Sequence, residues 1–140
     1  MDEQRILIVD DSPLIRTLLA TAIRLKGHQA DQAADGDEAL ELLAASSYRV
    51  MLLDWMMPRR SGAEVLESVA AGAVARPRYV IVITGAPDDF STANEHLIDL
   101  LIKKPFEIDR LATLVDDLVA GVSEFPTALP PIAREENDAT

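Results

Sequence analysis

Polar side chains stand at the ends of four apolar runs in this 140-residue sequence. Asp10 and Asp11 follow the first run, Asp54 ends the third, Thr84 ends the fourth and Lys104 ends the fifth. Such runs are typical of buried parallel strands, and ligand sites in parallel sheets lie at the carboxyl ends of the strands. Three carboxylates brought together there would repel one another and raise the pKa of at least one, unless a cation neutralises them.

This combination of groups predicts a site that handles a phosphoryl group. Magnesium suits the carboxylates, because it prefers oxygen ligands, keeps several waters and needs only one or two direct carboxylates. The negative charge of a phosphoryl group is spread over several oxygens. The site would offer it an ammonium group, a hydroxyl donor and a carboxylate nucleophile. A single aspartate after a strand is more often a cap or a turn former. The whole set at strand ends favours the phosphoryl site.

The elements that must position these groups alternate five times along the chain. Apolar or β-branched runs predict strands, of which the second is mixed and typical of an edge strand; the strands cover residues 5–10, 28–33, 50–54, 79–84 and 99–104. Helical period predicts five helices, of which the fourth is the weakest; they cover residues 12–27, 36–45, 61–71, 88–98 and 107–120. Five such units with short connections predict an α/β domain with helices on both faces of a parallel sheet.

The helices also carry predicted boundaries and apolar faces. Ser12 is a good N-cap with Pro13 at the first helical position. The predicted apolar face of the first helix contains Leu14, Leu18, Ile23 and Leu25. The third helix presents Ala63, Val65, Leu66 and Val69, and the last presents Ile108, Leu111, Leu114, Val115 and Leu118.

Composition narrows the classes of protein. The sequence has no cysteine, which excludes disulfides and fits a reducing compartment. Its net charge of −11 argues against direct nucleic-acid binding, which needs clustered Lys and Arg. The acidic start "MDEQR" does not resemble a signal peptide, and no apolar stretch approaches the roughly 20 residues of a membrane span. We therefore expect a cytoplasmic protein that binds neither membrane nor nucleic acid.

The pattern stops after Gly121. Residues 4–121 are predicted to form one domain. Residues 122–140 contain three prolines and an acidic end without helical period, and are predicted to form a linker or tail.

Four motifs in order resemble a response-regulator receiver domain of the CheY-like superfamily over residues 4–120. They are "VDDS" after the first strand, "LLDWMMP" with a glycine four residues beyond the proline, "VITGA" at the fourth strand and "KKPF" at the fifth. Each motif is weak alone, but their order and spacing are specific. The resemblance implies a single doubly wound (βα)5 domain with a five-stranded parallel sheet of order 2-1-3-4-5.

The resemblance also implies a role for each group. Asp54 would be the phosphoacceptor, receiving a phosphoryl group from a sensor histidine kinase, a histidine phosphotransfer protein or a small phosphodonor. Thr84 would hydrogen-bond one phosphoryl oxygen and Lys104 would pair with another. Gly85 would leave room beside the phosphoryl group.

A magnesium site follows from the same resemblance. Asp11 would ligate Mg²⁺ directly, Asp10 mainly through water, and Asp54 would be a further ligand. The third protein ligand would be the backbone carbonyl of Met56.

The sequence departs from the family at the expected switch residue. Many receivers have an aromatic residue three positions before the lysine, where this chain has Leu101. Phe90 or Phe106 could substitute as the moving group. A change in backbone mobility of residues 86–98 is the favoured route.

Slow self-dephosphorylation is expected for this chain. The positions two beyond Asp54 and Thr84 hold Met56 and Ala86, and neither side chain can orient an attacking water well.

Adjacent lysines precede Pro105. Strand alternation sends Lys103 and Lys104 to opposite sides, so at most one reaches the carboxylates. The residue before a proline is held extended, and the bond itself can be cis, which favours Lys104 as the site residue. Lys103 is then a solvated charge or a partner contact.

Several conspicuous residues have ordinary interpretations. Trp55 is expected to be a partly exposed neighbour of the site. His28 and His96 are expected to lie away from the site, with structural or solvated roles. Arg59 and Arg60 are most simply a solvated turn, and contact with a partner is the alternative.

The leading functional hypothesis is a phosphorylation-dependent switch that turns over no outside substrate. It would control an output domain or downstream protein, and a homodimer is possible. Alternatives are a phosphotransfer shuttle or single-domain regulator in a phosphorelay, a degenerate interaction domain, and an aspartyl phosphohydrolase. The hydrolase normally needs a second acid two residues after the nucleophile, where this chain has Met56.

Overall fold

The computed structural model describes residues 5–86, 90 and 92–121 as strands that alternate with helices. The strands are β1 (Ile6–Val9), β2 (Ala30–Ala33), β3 (Val50–Asp54), β4 (Tyr79–Thr84) and β5 (Leu100–Lys103). The helices are α1 (Pro13–Leu25), α2 (Gly36–Ala45), α3 (Gly62–Ala70), a 3-10 turn (Glu95–Leu97) and α4 (Ile108–Ala120).

The sheet is parallel, with the order β2-β1-β3-β4-β5. This order confirms the predicted doubly wound fold. The predicted bounds of β3 and β4 are confirmed, whereas β1, β2 and β5 are shorter than predicted. Because all strands run the same way, their carboxyl ends share one edge of the sheet.

Successive residues of a strand are buried in two separate cores, one on each face of the sheet. Ile6 and Ile8 face the core that α1 and α4 cover, while Leu7 and Val9 face the core that α2 and α3 cover. All four are almost completely buried, and burial of each such side chain contributes about 1.5–3 kcal/mol. The two cores cover both faces of the sheet, and the polar side chains lie at its carboxyl edge.

Local capping explains where three of the helices begin. The Ser12 hydroxyl accepts the Ile15 N–H at 3.3 Å at the start of α1, as predicted. The Asp35 carboxylate accepts the Glu38 N–H at 2.9 Å at the start of α2. Ser61 caps α3 as part of a capping box.

The predicted helix over residues 88–98 is wrong. Residues 92–98 contain only the three-residue 3-10 turn Glu95–Leu97, while residues 87–89 and 91 lie outside the described part of the chain. The segment is polar, and Leu97 is the buried residue of the turn. It therefore lacks the apolar stripe that stabilises a surface helix through packing.

The predicted apolar face of α1 is also largely wrong. Leu14, Leu18 and Leu25 are 67%, 43% and 82% exposed. The buried residues are Leu19 and Ala20, together with Ile23 from the predicted set. The helix has apolar residues on two sides, so periodicity alone could not decide which side faces the sheet.

The remaining predicted apolar faces are mostly confirmed. Val65, Leu66 and Val69 of α3 are buried, and so are Leu111, Leu114, Val115 and Leu118 of α4. Ala63 and Ile108 are only half-buried.

The predicted tail, residues 122–140, lies outside the described residues, as do residues 1–4. No helix within the described ranges is long and apolar enough to span a membrane.

Candidate functional site

Three carboxylates converge at the carboxyl edge of the sheet. Asp54 is the last residue of β3, and Asp10 and Asp11 directly follow the neighbouring β1. One oxygen from each carboxylate lies within 4.8 Å of the others. Asp10 and Asp54 are each 1% exposed, whereas Asp11 is exposed. The site thus has two buried acids and one that faces solvent.

Lys104 is the cation that meets these acids. Its Nζ lies 3.2 Å from Asp54 Oδ1 and 3.8 Å from Asp10 Oδ2. The Lys104 side chain is 36% exposed, so the ammonium reaches the acids from the edge of the site. One positive charge against three carboxylates leaves the site short of positive charge.

Backbone contacts hold Asp10 in place. The Ser12 N–H donates to Asp10 Oδ1 at 2.8 Å, and the Arg16 guanidinium donates to the Asp10 carbonyl at 2.8 Å. Oδ2 of Asp10 and Oδ2 of Asp54 are buried without a hydrogen-bond partner among the described residues. Buried carboxylate oxygens without partners are unfavourable, so these atoms fit a bound cation that would complete their contacts.

The pKa values of the two buried acids, Asp54 and Asp10, are both raised. Burial raises the pKa of Asp54 to about 6; repulsion from Asp10 adds to the shift, and Lys104 opposes it. Burial also raises the pKa of Asp10, although the Ser12 hydrogen bond and Lys104 act in the opposite direction. Ionisation of both acids is therefore costly, and a divalent cation would remove much of that cost.

Thr84 joins the ends of the last two strands. It is 2% exposed, and its hydroxyl oxygen accepts the Ala86 N–H at 3.1 Å. Its carbonyl accepts the Lys104 N–H at 2.8 Å. A Cβ added at the exposed Gly85 would meet no heavy atom within 4 Å. The structure therefore gives no steric reason for a glycine at position 85.

The segment after Asp54 makes a closed loop. The Trp55 N–H donates to the Ile83 carbonyl at 3.0 Å, and the Trp55 carbonyl accepts the Gly62 N–H at 3.1 Å. A Cβ on Gly62 would lie 2.9 Å from the Asp54 carbonyl oxygen, which explains the glycine there. The Met56 side chain is 72% exposed.

Arg59 and Arg60 are exposed in a turn, as expected, but each also pairs with an acid of this chain. Arg59 pairs with Asp35, and Arg60 Nε lies 2.6 Å from Asp37 Oδ1. Sequence reasoning missed both pairs because they join the loop after Asp54 to the start of α2, and no periodic pattern relates the two segments. The adjacent acids in "ADGDEAL" and the adjacent arginines in "PRRSG" were the available signal.

Other predicted neighbours of the site are placed as follows. Trp55 is half-buried, and its ring lies 4.7 Å from that of Phe90. Leu101 is half-buried against the core under α2 and α3. Lys103 forms no ion pair within the described ranges. The Lys104–Pro105 bond is cis.

Neither histidine belongs to the carboxylate cluster. His28 Nε2 lies 2.6 Å from Asp116 Oδ1, which joins the end of α1 to α4, and His96 is exposed.

Comparison with known proteins places these features in a family. A family model described as response regulator receiver domain matches residues 6–116. The transcriptional regulatory protein DltR of Streptococcus agalactiae is 35% identical over 109 residues, covering 76% of this chain and 48% of DltR. TcrA of Mycobacterium tuberculosis is 34% identical over 107 residues, covering 76% of this chain and 42% of TcrA. The chain thus spans about half the length of these curated relatives.

Solved structures show the same fold. The receiver domain of the Francisella response regulator 1452 has a TM-score of 0.70 at 29% identity and covers 85% of this chain and 98% of that domain. TrrA of Thermotoga maritima, solved with Mg²⁺-BeF, has a TM-score of 0.69 at 32% identity and covers 81% of this chain and 97% of its own. TrrA has also been solved in complex with the histidine kinase ThkA.

Proposed function

The chain belongs to the response regulator receiver domain family, and we propose that it is a phosphorylation-dependent signalling switch with Asp54 as its phosphoacceptor. One observation carries the assignment. Asp54 is buried at the end of β3, with one oxygen 3.2 Å from Lys104 Nζ and the other without a partner among the described residues. The ion pair with Lys104 therefore uses only one of the two Asp54 carboxylate oxygens.

Mg²⁺ is the proposed cofactor. Asp10, Asp11 and Asp54 would hold it, together with the backbone carbonyl of Met56. When bound, the ion supplies positive charge to the phosphoryl oxygens. The buried oxygens without partners and the raised pKa of Asp54 support this choice. The TrrA complex with Mg²⁺-BeF supports it from a relative.

The proposed step is phosphoryl transfer onto Asp54. A carboxylate oxygen of Asp54 forms a bond to phosphorus while the bond from phosphorus to the donor breaks. With a phosphohistidine donor, the imidazole nitrogen leaves with the bonding electrons. Lys104 Nζ is close enough to pair with a phosphoryl oxygen, and the Thr84 hydroxyl donates a hydrogen bond to another. The product is an acyl phosphate on Asp54.

The exposed Asp11 marks the side from which a donor approaches. The donor would be a sensor histidine kinase or a histidine phosphotransfer protein, and the TrrA–ThkA complex supports this class of partner. The output would be a further domain or a downstream protein, because the curated relatives are transcriptional regulators about twice as long as the matched segment. A cytoplasmic location, no direct nucleic-acid or membrane binding and a possible homodimer complete the proposal.

The chain would turn over no outside substrate. Met56 occupies the position where an aspartyl phosphohydrolase would place its second acid, and its exposed thioether side chain cannot act as one. With Met56 and Ala86 in these positions, we expect the acyl phosphate to persist for longer than seconds. Loss of the label within seconds would contradict that expectation.

Intact-protein mass spectrometry tests the proposal. Wild type, Asp54→Asn and the control Asp37→Asn are incubated with Mg²⁺ and a small phosphodonor. Asp37 lies on the exposed first turn of α2, outside the carboxylate cluster. We expect one added phosphoryl group on wild type and on the control, and none on Asp54→Asn. Equal labelling of all three proteins would contradict the assignment.

A further inference from the structure

The acceptor loop, defined as residues 55–61 between Asp54 and α3, packs against the first turn of α2. Arg59 of this loop donates to Asp35 Oδ2. The other oxygen of Asp35 accepts the Glu38 N–H at 2.9 Å and so caps α2. One carboxylate thus holds both the helix and the loop.

This pair differs from an ordinary surface ion pair. The Asp35 side chain is only 7% exposed, although that of Arg59 is 67% exposed. The neighbouring pair of Arg60 and Asp37 is 43% and 49% exposed. Pairs in which both partners are exposed contribute little to stability, whereas a buried charge left without its partner is costly. The Asp35–Arg59 contact is therefore the stronger link between loop and helix.

Backbone geometry supports the same conclusion. A Cβ added at Gly36 would overlap the Arg60 carbonyl oxygen, so the loop backbone lies directly on α2. Arg59 has φ 64°, in the left-handed region that a residue with a Cβ rarely adopts. Such a conformation is strained and persists only where the surrounding contacts hold it. Among the described residues, Arg59 with this backbone angle donates its side-chain hydrogen bond to Asp35.

Met56 lies between two anchored parts of the acceptor loop. On one side, Trp55 is fixed by its hydrogen bonds to Ile83 and Gly62. On the other side, Arg59 is fixed by Asp35. The Met56 carbonyl lies in the short stretch of backbone between these two anchors.

We propose that Asp35 and Arg59 are positioning residues that fix the Met56 carbonyl for metal binding. This inference rests on the proposed function, because it concerns the same metal site. Neither side chain belongs to the cluster of Asp10, Asp11 and Asp54 that would hold the metal. They act through the backbone of the acceptor loop, as residues that orient metal ligands commonly do.

The sign of the effect separates positioning from simple electrostatics. Loss of Arg59 removes a positive charge from the neighbourhood of three carboxylates, so Coulomb interactions alone would strengthen cation binding. Loss of positioning would weaken it. Arg60→Ala removes the same charge from the next residue and breaks only the more exposed pair with Asp37, so it serves as the electrostatic control.

Isothermal titration calorimetry with Mg²⁺ on the full chain tests the proposal. We expect Arg59→Ala to weaken Mg²⁺ binding by about tenfold. Arg59→Lys, which keeps a cation for Asp35, should stay within about twofold of wild type, and Arg60→Ala should bind as tightly as wild type or more tightly. Arg59→Ala that binds Mg²⁺ as tightly as wild type would overturn the proposal.

Asp35→Asn provides a second variant that retains the fold, because asparagine caps helices as well as aspartate does. We expect it to weaken binding more than its charge-matched control Asp37→Asn. The double variant Asp35→Asn with Arg59→Ala should bind Mg²⁺ no more weakly than the single variant that has the lower affinity. The reason is that both substitutions break the same contact. Additive losses would overturn the proposal.

Amide hydrogen exchange without metal gives an independent readout. Residues 55–61 should exchange faster in Arg59→Ala and Asp35→Asn than in wild type, while α2 stays protected in Asp35→Asn. Unchanged exchange in the acceptor loop would contradict the proposal. If wild type neither binds Mg²⁺ nor is phosphorylated, the proposed function itself fails. If wild type does both and the variants match it, only the positioning role fails.

Discussion

At the scale of single residues, Asp54 is a buried acid with too little positive charge around it. Lys104 pairs with one of its oxygens, and Asp10 repels it. Burial and this repulsion raise its pKa to about 6, against about 3.9 for an aspartate in an unfolded chain. The fold therefore tolerates the ionised form of Asp54 at a cost in stability.

That cost predicts a dependence of stability on pH. Between pH 4 and 6, folded Asp54 binds a proton that the unfolded chain has released. The contribution of Asp54 to the free energy of unfolding therefore falls as pH rises through this range and levels off above it. In metal-free buffer at pH 7, Asp54→Asn should raise the free energy of unfolding by about 1–3 kcal/mol. Urea denaturation at pH 4 and pH 7 checks this.

The control for this prediction is Asp37→Asn, whose acid is exposed and paired with Arg60. It should not show the gain at pH 7. A loss of stability in Asp54→Asn at pH 7 would mean that Asp54 is a structural ion-pair partner of Lys104.

The two lysines before Pro105 should differ in effect. Lys104 contacts Asp54 and Asp10, while Lys103 makes no ion pair within the described ranges. Lys103→Glu should leave phosphorylation of Asp54 nearly intact. Lys104→Ala should uncouple phosphorylation from conformational change, since it removes the ammonium group that we propose pairs with a phosphoryl oxygen. Mass spectrometry gives the extent of phosphorylation, and hydrogen exchange before and after phosphorylation gives the conformational change.

Equal behaviour of the two lysine variants in both measurements would contradict this assignment.

At the scale of elements, β4 and β5 are joined next to the site. The Lys104 N–H donates to the Thr84 carbonyl at 2.8 Å. If Thr84 moves toward the phosphoryl group as proposed, this hydrogen bond would transmit the movement to the end of β5. Leu101, on β5, packs against the core under α2 and α3. Between the two strands, the described residues contain a 3-10 turn in place of the predicted α-helix. We expect the response to phosphorylation to pass through this connection.

Helix α1 gives a direct test of the corrected packing. Leu19 is 0% exposed and packs in the core under α1 and α4, whereas Leu18 is 43% exposed. Leu19→Ala should lower the free energy of unfolding by about 2–5 kcal/mol, because it leaves a cavity. Leu18→Ala should lower it by less than about 1 kcal/mol. Urea denaturation of both variants checks this, and an equal loss would show that α1 is rotated.

The sequence predicted elements best where pattern and packing agree. β3 and β4 are apolar runs buried on both sides, and their bounds were predicted correctly. The buried face of α1 was predicted wrongly because the helix has apolar residues on two sides, and only tertiary packing determines which side faces the sheet. The helix predicted after β4 was wrong because the weak helical period of that segment has no apolar face that packing could stabilise.

The candidate site was predictable for a different reason. In a parallel sheet every strand ends at the same edge, so residues far apart in sequence converge once strand order is known. Asp10, Asp54 and Lys104 followed from that rule. Asp35 and Arg59 did not, since their contact joins the loop after Asp54 to the start of α2, and no periodic pattern relates the two segments.

At the scale of the whole molecule, two hydrophobic cores cover the two faces of the sheet that carries the site. The predicted domain ends at residue 121, where Gly121 follows α4 with φ 73°. A chain that ends after Gly121 should therefore be phosphorylated on Asp54 as well as the full chain, with an unchanged melting temperature. Parallel mass spectrometry and thermal unfolding check this. A lower melting temperature would show that residues 122–140 contribute to the fold.

The central claim is that Asp54 carries the phosphoryl group. The most direct measurement reduces the phosphorylated wild-type protein with borohydride, which converts an aspartyl phosphate to homoserine, and maps the modified residue by peptide mass spectrometry. We predict homoserine at position 54 and at no other aspartate, and only after incubation with both Mg²⁺ and a phosphodonor. Modification at another residue, or an unmodified position 54 in a phosphorylated protein, would contradict the account.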